Sequence, residues 1–146
     1  MEGARPRVKG IERAVALAQR IQHAFVATSN REGTPHIAAA ASLSLADDNC
    51  LSVSSWFCPA TVSNLQENRK VSVVVWNPET DEGVQVVGAV ERVEETAILD
   101  GYAPELETGE SPPQVERRLI VGVEKVIAFS HAPHTDSEIL MEKAPC

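Results

Sequence analysis

The stretch Val71-Ser72-Val73-Val74-Val75-Trp76-Asn77-Pro78-Glu79-Thr80-Asp81-Glu82-Gly83-Val84-Gln85-Val86-Val87-Gly88-Ala89-Val90-Glu91 decides the fold. Its first part is almost wholly β-branched. Such side chains are stiff in a helix and pack well on a pleated surface, so 71–76 is expected as a strand. Asn77 to Gly83 collects Asn, Pro, Asp and Gly, the residues that tolerate turn conformations, and reads as a loop. Strand character resumes from Val84 to Val93, with Gly88 a candidate bulge or bend.

Working outward, Pro59 to Asn68 reads as a short helix with proline at an early position. Upstream of it, Leu51 to Trp56 reads as a strand, entered through Asp47-Asp48-Asn49. The segment Pro35 to Leu45 sets four alanines, which favour helix, against Pro35 and an alternating Ser-Leu-Ser-Leu, which favours strand. The strand is the expectation, and four alanines on it suggest that something flat packs closely there, a ligand ring or a partner subunit, with a thin layer of ordinary core as the plain alternative. Phe25 to Thr28 is a further strand, closed by the turn-rich Ser29-Asn30-Arg31-Glu32-Gly33. Before it, Ile11, Ala14, Val15, Ala18 and Ile21 recur at helical spacing, so a helix is expected over about 8–23. Downstream, Glu94 to about Tyr102 is expected as a short helix and Ala103 to Pro113 as an exposed acidic excursion. Leu119 to Ser130 is the last strand, and the tail over 131–146 is expected to be loosely tied down.

About six strands, few helices, no repeat and no linker describe a single domain over 1–146: mainly β with flanking α, barrel-like. With 43% hydrophobic and 23% charged residues, 146 residues are enough for a real core. No apolar run is long enough for a membrane-crossing helix. No hydrophobic signal core follows Met1-Glu2-Gly3-Ala4-Arg5, so the cytoplasm is the expected location. A net charge of −8, with basic residues in isolated pairs, argues against nucleic acid as partner. Cys50, Cys58 and Cys146 make no metal-binding spacing, and an odd count without a signal favours free thiols. No metal site is expected: His131, His134 and Asp136 lie close in sequence, but nothing there holds them in a fixed geometry.

From Ala24 to Glu91 the order of segments resembles the FMN-binding split barrels of the pyridoxamine 5'-phosphate oxidase-like superfamily. The matching pieces are Gly33-Thr34-Pro35-His36-Ile37, Leu51-Ser52-Val53-Ser54-Ser55, Thr61-Val62-Ser63-Asn64-Leu65, Glu67-Asn68-Arg69-Lys70-Val71-Ser72-Val73 and Val84-Gln85-Val86-Val87-Gly88-Ala89-Val90-Glu91. The resemblance implies a six-stranded antiparallel split β-barrel that forms a homodimer with FMN at the interface. It points to Ser54, Ser55 and Thr61 near the ribityl-phosphate chain, and to Gln85 near the flavin. The start of the helix near Pro59 supports a phosphate site independently, because its free N–H groups and dipole favour an anion.

The chain departs from that family where many members carry an Arg or Lys. Cys58-Pro59-Ala60-Thr61 and Ala38-Ala39-Ala40-Ala41 contain no cation, so charge-assisted bonds to a phosphate must come from elsewhere. Arg69, Lys70, Arg117 or the other subunit are the alternatives, and loss of the flavin site is another.

Each residue also has a plainer use. Ser54 and Ser55 are ordinary strand residues, Thr61 could cap its own helix, and Gln85 could simply face outward. Core packing is the expected use of Trp56 and of Trp76, and a structural role that of His36. Cys58, at a helix N-terminus, is expected to have a lowered pKa, but no partner for cysteine-hydrolase chemistry stands out in the sequence. There is no GxGxxG, Walker loop, HExxH or GxSxG. The leading expectation is therefore an FMN-dependent oxidoreductase of unknown substrate and catalytic residues. The alternatives are an electron carrier or haem-binding module without enzymatic activity, and a dimeric barrel whose cofactor site has decayed.

Overall fold

The computed structural model describes residues 9–47, 50–99 and 114–139. In chain order the elements are α1 (Lys9–Ile21), β1 (Ala24–Ser29), β2 (Pro35–Ala40), β3 (Ser42–Asp47), β4 (Cys50–Ser55), α2 (Pro59–Glu67), β5 (Lys70–Asn77), β6 (Glu82–Leu99), β7 (Gln114–His131) and β8 (His134–Ile139). All strand pairs are antiparallel, in the order β2-β1-β5-β6-β7-β4-β3, with β8 added alongside β7. The chain itself links the two ends of this path, because β2 runs into β3 through Ala41. Ala41 N–H bonds Ser54 O at 3.2 Å, and the Ser55 hydroxyl donates to Ala39 O at 3.2 Å. The sheet thus curls until its two edges meet without a full ladder between them, which is a split barrel.

Alternation decides what lies inside. Val71, Val73 and Val75 of β5 and Val84 and Val86 of β6 point into the core, joined there by Val26, Leu51, Val53, Leu119 and Val121. The α1 stripe behaves largely as its spacing predicts: Ile11, Ala14, Val15 and Ala18 are buried against the barrel and Ile21 is half-buried, while Leu17, outside the expected stripe, is buried with them. Gly10 lets α1 approach β7, since a Cβ there would run into the Val126 side chain. The β6–β7 register shifts at Val87/Gly88, but the extra residue is Glu124 on β7, since Val87 pairs with Lys125 and Gly88 with Val123. There β6 runs past β5 without a break, so the irregularity expected at Gly88 falls on its partner strand.

Five expectations change. The 35–45 strand is two strands, β2 and β3, bent apart at Ala41, so with β8 the sheet has eight strands. Residues 94–99 are not helical but continue β6, because β7 begins early enough to pair with them. There Glu94 faces Arg118 and Glu95 faces Arg117, opposite charges across the ladder. The tail is anchored through Ile139: β8 forms a hairpin with β7, and the Asp81 carboxylate accepts the His131 N–H at 2.8 Å and the Ala132 N–H at 2.9 Å. Cys50, fully buried at the start of β4, is disulfide-bonded, whereas Cys58 is free. The parity of a cysteine count carries no information about which sulfurs meet in space. The acidic excursion expected over 103–113 lies outside the described residues.

The tryptophans are not core residues either. Trp56 is 44% and Trp76 36% exposed. Both alternate outward, and Trp76 gives its indole N–H to Asp81 at 3.0 Å, tying the β5–β6 turn to the β7–β8 turn through one carboxylate. No helix among the described residues is long and apolar enough to cross a membrane.

Candidate functional site

The end of β4 and the start of α2 form one corner of the molecule. Cys58 is the N-cap residue of α2 with extended backbone (φ −71°, ψ 160°), Pro59 opens the helix, and no side chain makes a capping hydrogen bond. The helix is held in place from its far side, where Asn64 donates to the Thr28 hydroxyl at 3.0 Å and Asn68 to the Ser29 hydroxyl at 2.9 Å. No side-chain oxygen caps the helix; the N–H groups of Ala60 and Thr61 lie toward the Cys58 sulfur at an exposed N-terminal end whose dipole favours anions.

Thr61, in the first turn, is fully buried. Its Oγ1 lies 3.5 Å from His36 Nδ1 and 3.5 Å from Cys58 Sγ, while His36 Nε2 lies 3.8 Å from that sulfur. The Thr61 hydroxyl, followed by the Thr61 N–H, draws the Cys58 thiol below its ordinary pKa, and partial burial opposes them. Thr61 is thus more than the cap its position suggests, and His36 touches the one free thiol among the described residues. That proximity joins β2 to α2 across the barrel edge and has no signature in sequence spacing.

Thr61 also borders an open surface pocket of about 630 Å³, lined further by Phe57, Leu65, Leu119, Arg69, Glu95 and Arg117. Two of the three distant cations, Arg69 and Arg117, therefore line the same pocket as Thr61. Arg69 bonds the Glu91 carbonyl at 3.2 Å, and Arg117 stands 3.9 Å from the Glu95 carboxylate, a loose pair. Lys70 does not join them; it pairs with Glu124 at 2.8 Å.

Ser54 and Ser55 separate, as successive strand residues must. Ser55 faces Arg117 across the β4–β7 ladder and turns its hydroxyl to Ala39 O. Ser54 lines a polar groove of about 520 Å³ with Ser42, Ser44, Ser52, Arg92 and Arg118, where Glu94 bonds both arginines, at 2.9 and 3.2 Å.

Gln85 stands elsewhere, on the outer face of β6. Its amide donates to the Ser72 hydroxyl at 2.8 Å. The register puts Gln85 in one row with Val74, Phe25 and Ala39, and Ile37 follows in the adjacent row. Phe25 is 46% and Ile37 65% exposed, and Ala39 is open to solvent. This is a flat apolar surface with one amide on it, and Ala39 links it directly to Ser55. Of the four residues expected at a cofactor site, Ser55 and Thr61 share the α2 corner, Ser54 faces the adjoining groove, and Gln85 belongs to the flat face. One chain alone does not converge them on one point.

The fold and the site define a class: small antiparallel split barrels with an uncapped helix end beside an open, flat sheet face. The chain belongs to the pyridoxamine 5'-phosphate oxidase family, whose sequence profile matches residues 11–123. No curated protein is significantly similar to it in sequence. Among solved structures, HupZ from Group A Streptococcus shares 23% identity, with 86% of this chain and 97% of that one covered and a TM-score of 0.56. An FMN-binding protein from Syntrophomonas wolfei shares 20%, covering 84% of this chain and 87% of that one, TM-score 0.56. A pyridoxamine 5'-phosphate oxidase-related, FMN-binding protein from Nostoc punctiforme shares 12%, covering 92% and 91%, TM-score 0.58. At these identities the similarity is one of fold.

Proposed function

We propose that the chain is an FMN-binding flavoprotein that works as a homodimer, and that its activity is that of an oxidoreductase on a small molecule. The observation that carries this reading is the open apolar face of Ala39, Ile37, Phe25 and Val74 beside the uncapped start of α2. Exposed apolar surface of this kind normally marks a binding site, and alanine at position 39 leaves room for a flat ring. Membership of the family and the printed names of the FMN-binding relatives support the same ligand.

The residues present fit the cofactor in chemical type. The α2 N–H groups and the Ser55 hydroxyl would hold the phosphate end. Arg69 and Arg117, next to Thr61, would supply the positive potential that the Cys58–Thr61 segment lacks. Gln85 would offer a neutral amide to the polar edge of a flavin, and because it sits apart from Thr61 within one chain, it is assigned to the site of the partner subunit. Covering Phe25 and Ile37 with that subunit would exclude water from the ring. When bound, FMN supplies hydride or single-electron transfer; the protein contributes binding, orientation and exclusion of solvent.

The test is direct. Flavin fluorescence should be quenched saturably at micromolar FMN, about 8 kcal/mol of binding free energy, and light scattering should give twice the chain mass. No quenching up to about millimolar FMN, or a stable monomer, overturns the reading. Bleaching of the bound flavin by NADH or NADPH would establish a reductase, whereas a flavin that only exchanges electrons with a redox partner would favour the carrier.

A further inference from the structure

We propose that Cys58 is a site of reversible oxidation by hydroperoxides, with His36 as its proton-transfer partner. The proposal stands without the cofactor. Its basis is a cluster of three groups from two elements: an exposed free sulfur, a fully buried Thr61 whose hydroxyl is aimed at that sulfur from 3.5 Å, and His36 Nε2 at 3.8 Å.

A merely structural reading accounts poorly for this arrangement. Helix N-caps favour Ser, Thr, Asp or Asn, whose oxygen accepts an N–H of the first turn, and sulfur is a weak acceptor. The sulfur is solvent-exposed and fills no core space, whereas Cys50 is buried and bridged. What the position offers a sulfur is stabilisation of its anion. The Thr61 hydroxyl and N–H and the Ala60 N–H favour the thiolate, and no charged side chain among the described residues adds to them. From the opposing element, β2, the one titratable group in contact is His36.

Thiolate and imidazole together complete the chemistry. The Cys58 sulfur attacks one oxygen of the hydroperoxide, an S–O bond forms and the O–O bond breaks. Sulfur loses two electrons, the peroxide is reduced to an alcohol or water, and His36 hands the leaving oxygen a proton drawn from solvent, the thiol having already lost its own to solvent. The sulfenic acid then condenses with a small thiol, releasing water and leaving a mixed disulfide that excess thiol reverses.

The experiment uses the full chain, with and without added FMN. Cys58 should be alkylated by iodoacetamide with a midpoint below the ordinary thiol value of about 8.5, and hydrogen peroxide followed by dimedone should add the sulfenic-acid label at Cys58. Thr61→Val should move the alkylation midpoint upward. His36→Asn should slow peroxide labelling by about tenfold or more, while its alkylation midpoint stays near that of the parent, a split that loss of packing would not produce. Cys58→Ser removes the label. An alkylation midpoint at or above the ordinary value, or no dimedone label on a thiol that iodoacetamide still reaches, overturns the proposal. Circular dichroism confirms that each variant is folded before it is read.

Discussion

Gly88→Ala isolates the packing demand of the close approach between β6 and β7 at Gly88. Gly88 does not have positive φ, so alanine meets no backbone penalty there. A Cβ at this position would run into the Gly122 carbonyl oxygen and lie 3.0 Å from Val121 Cγ1. The carbonyl belongs to a β7 strand paired on both sides and cannot swing away. Overpacking of this kind costs about 1–3 kcal/mol, and the upper part of that range applies because the obstacle is backbone. Replacing glycine in a strand returns about 0.5–1 kcal/mol through chain entropy. The net expectation is a loss of about 2 kcal/mol, or roughly 6–8 °C in Tm for a chain of this size.

Gly122→Ala is the matched control. Its Cβ would come 2.6 Å from Glu91 Oε2, the far end of an exposed flexible side chain that can move aside. That variant should lie within about 0.5 kcal/mol of the parent. Urea denaturation followed by circular dichroism measures both, with the m-value expected to be unchanged. Equal destabilisation by the two substitutions, or a Gly88→Ala protein as stable as the parent, would refute the reasoning.

Two further outcomes follow from other contacts. Asp81 is held below the ordinary aspartate pKa by the Ala132 N–H first, then by the Trp76 indole and the His131 N–H. A depressed folded-state pKa means that this stabilisation is fully present above about pH 4 and is lost as the pH falls through the folded value. Asp81→Asn should therefore be less stable than the parent at pH 7, the gap should narrow at pH 3, and Trp76 fluorescence should report the loosened turn; a gap independent of pH would count against it. Phe25→Glu combined with Ile37→Glu should leave the monomer folded, because both positions are exposed, yet halve the mass seen by light scattering and weaken FMN by about tenfold, roughly 1.4 kcal/mol. An unchanged dimer would remove that face from the interface.

Sequence alone was sufficient wherever the signal is local. The alternation in Val71–Val75 and Val84–Val86, the α1 stripe and the start of α2 at Pro59 each depend on neighbours a few residues away, and all are found where periodicity and turn chemistry place them. The order of those segments was also enough to indicate the family. Residues 94–99 misled because their acidic, helix-compatible composition competes with a partner strand more than a dozen residues downstream, and pairing prevails over propensity. The bend at Ala41 was hidden for the same reason, since it exists only because β2 and β3 lie at opposite ends of one sheet path.

Tertiary structure decided everything that depends on which distant residues meet. Arg69 and Arg117 line one pocket with Thr61, and Lys70 does not: the β4–β7 ladder sets Arg117 opposite Ser55, while Lys70 is turned toward Glu124. His36 finds Cys58 because the split barrel brings the end of β2 against the start of α2. Ser54, Ser55, Thr61 and Gln85 could be named in advance as residue types suited to a flavin phosphate and ring. Their division between the two faces of β4, a helix corner and an open sheet face is a matter of strand parity and closure, which no short window of sequence contains.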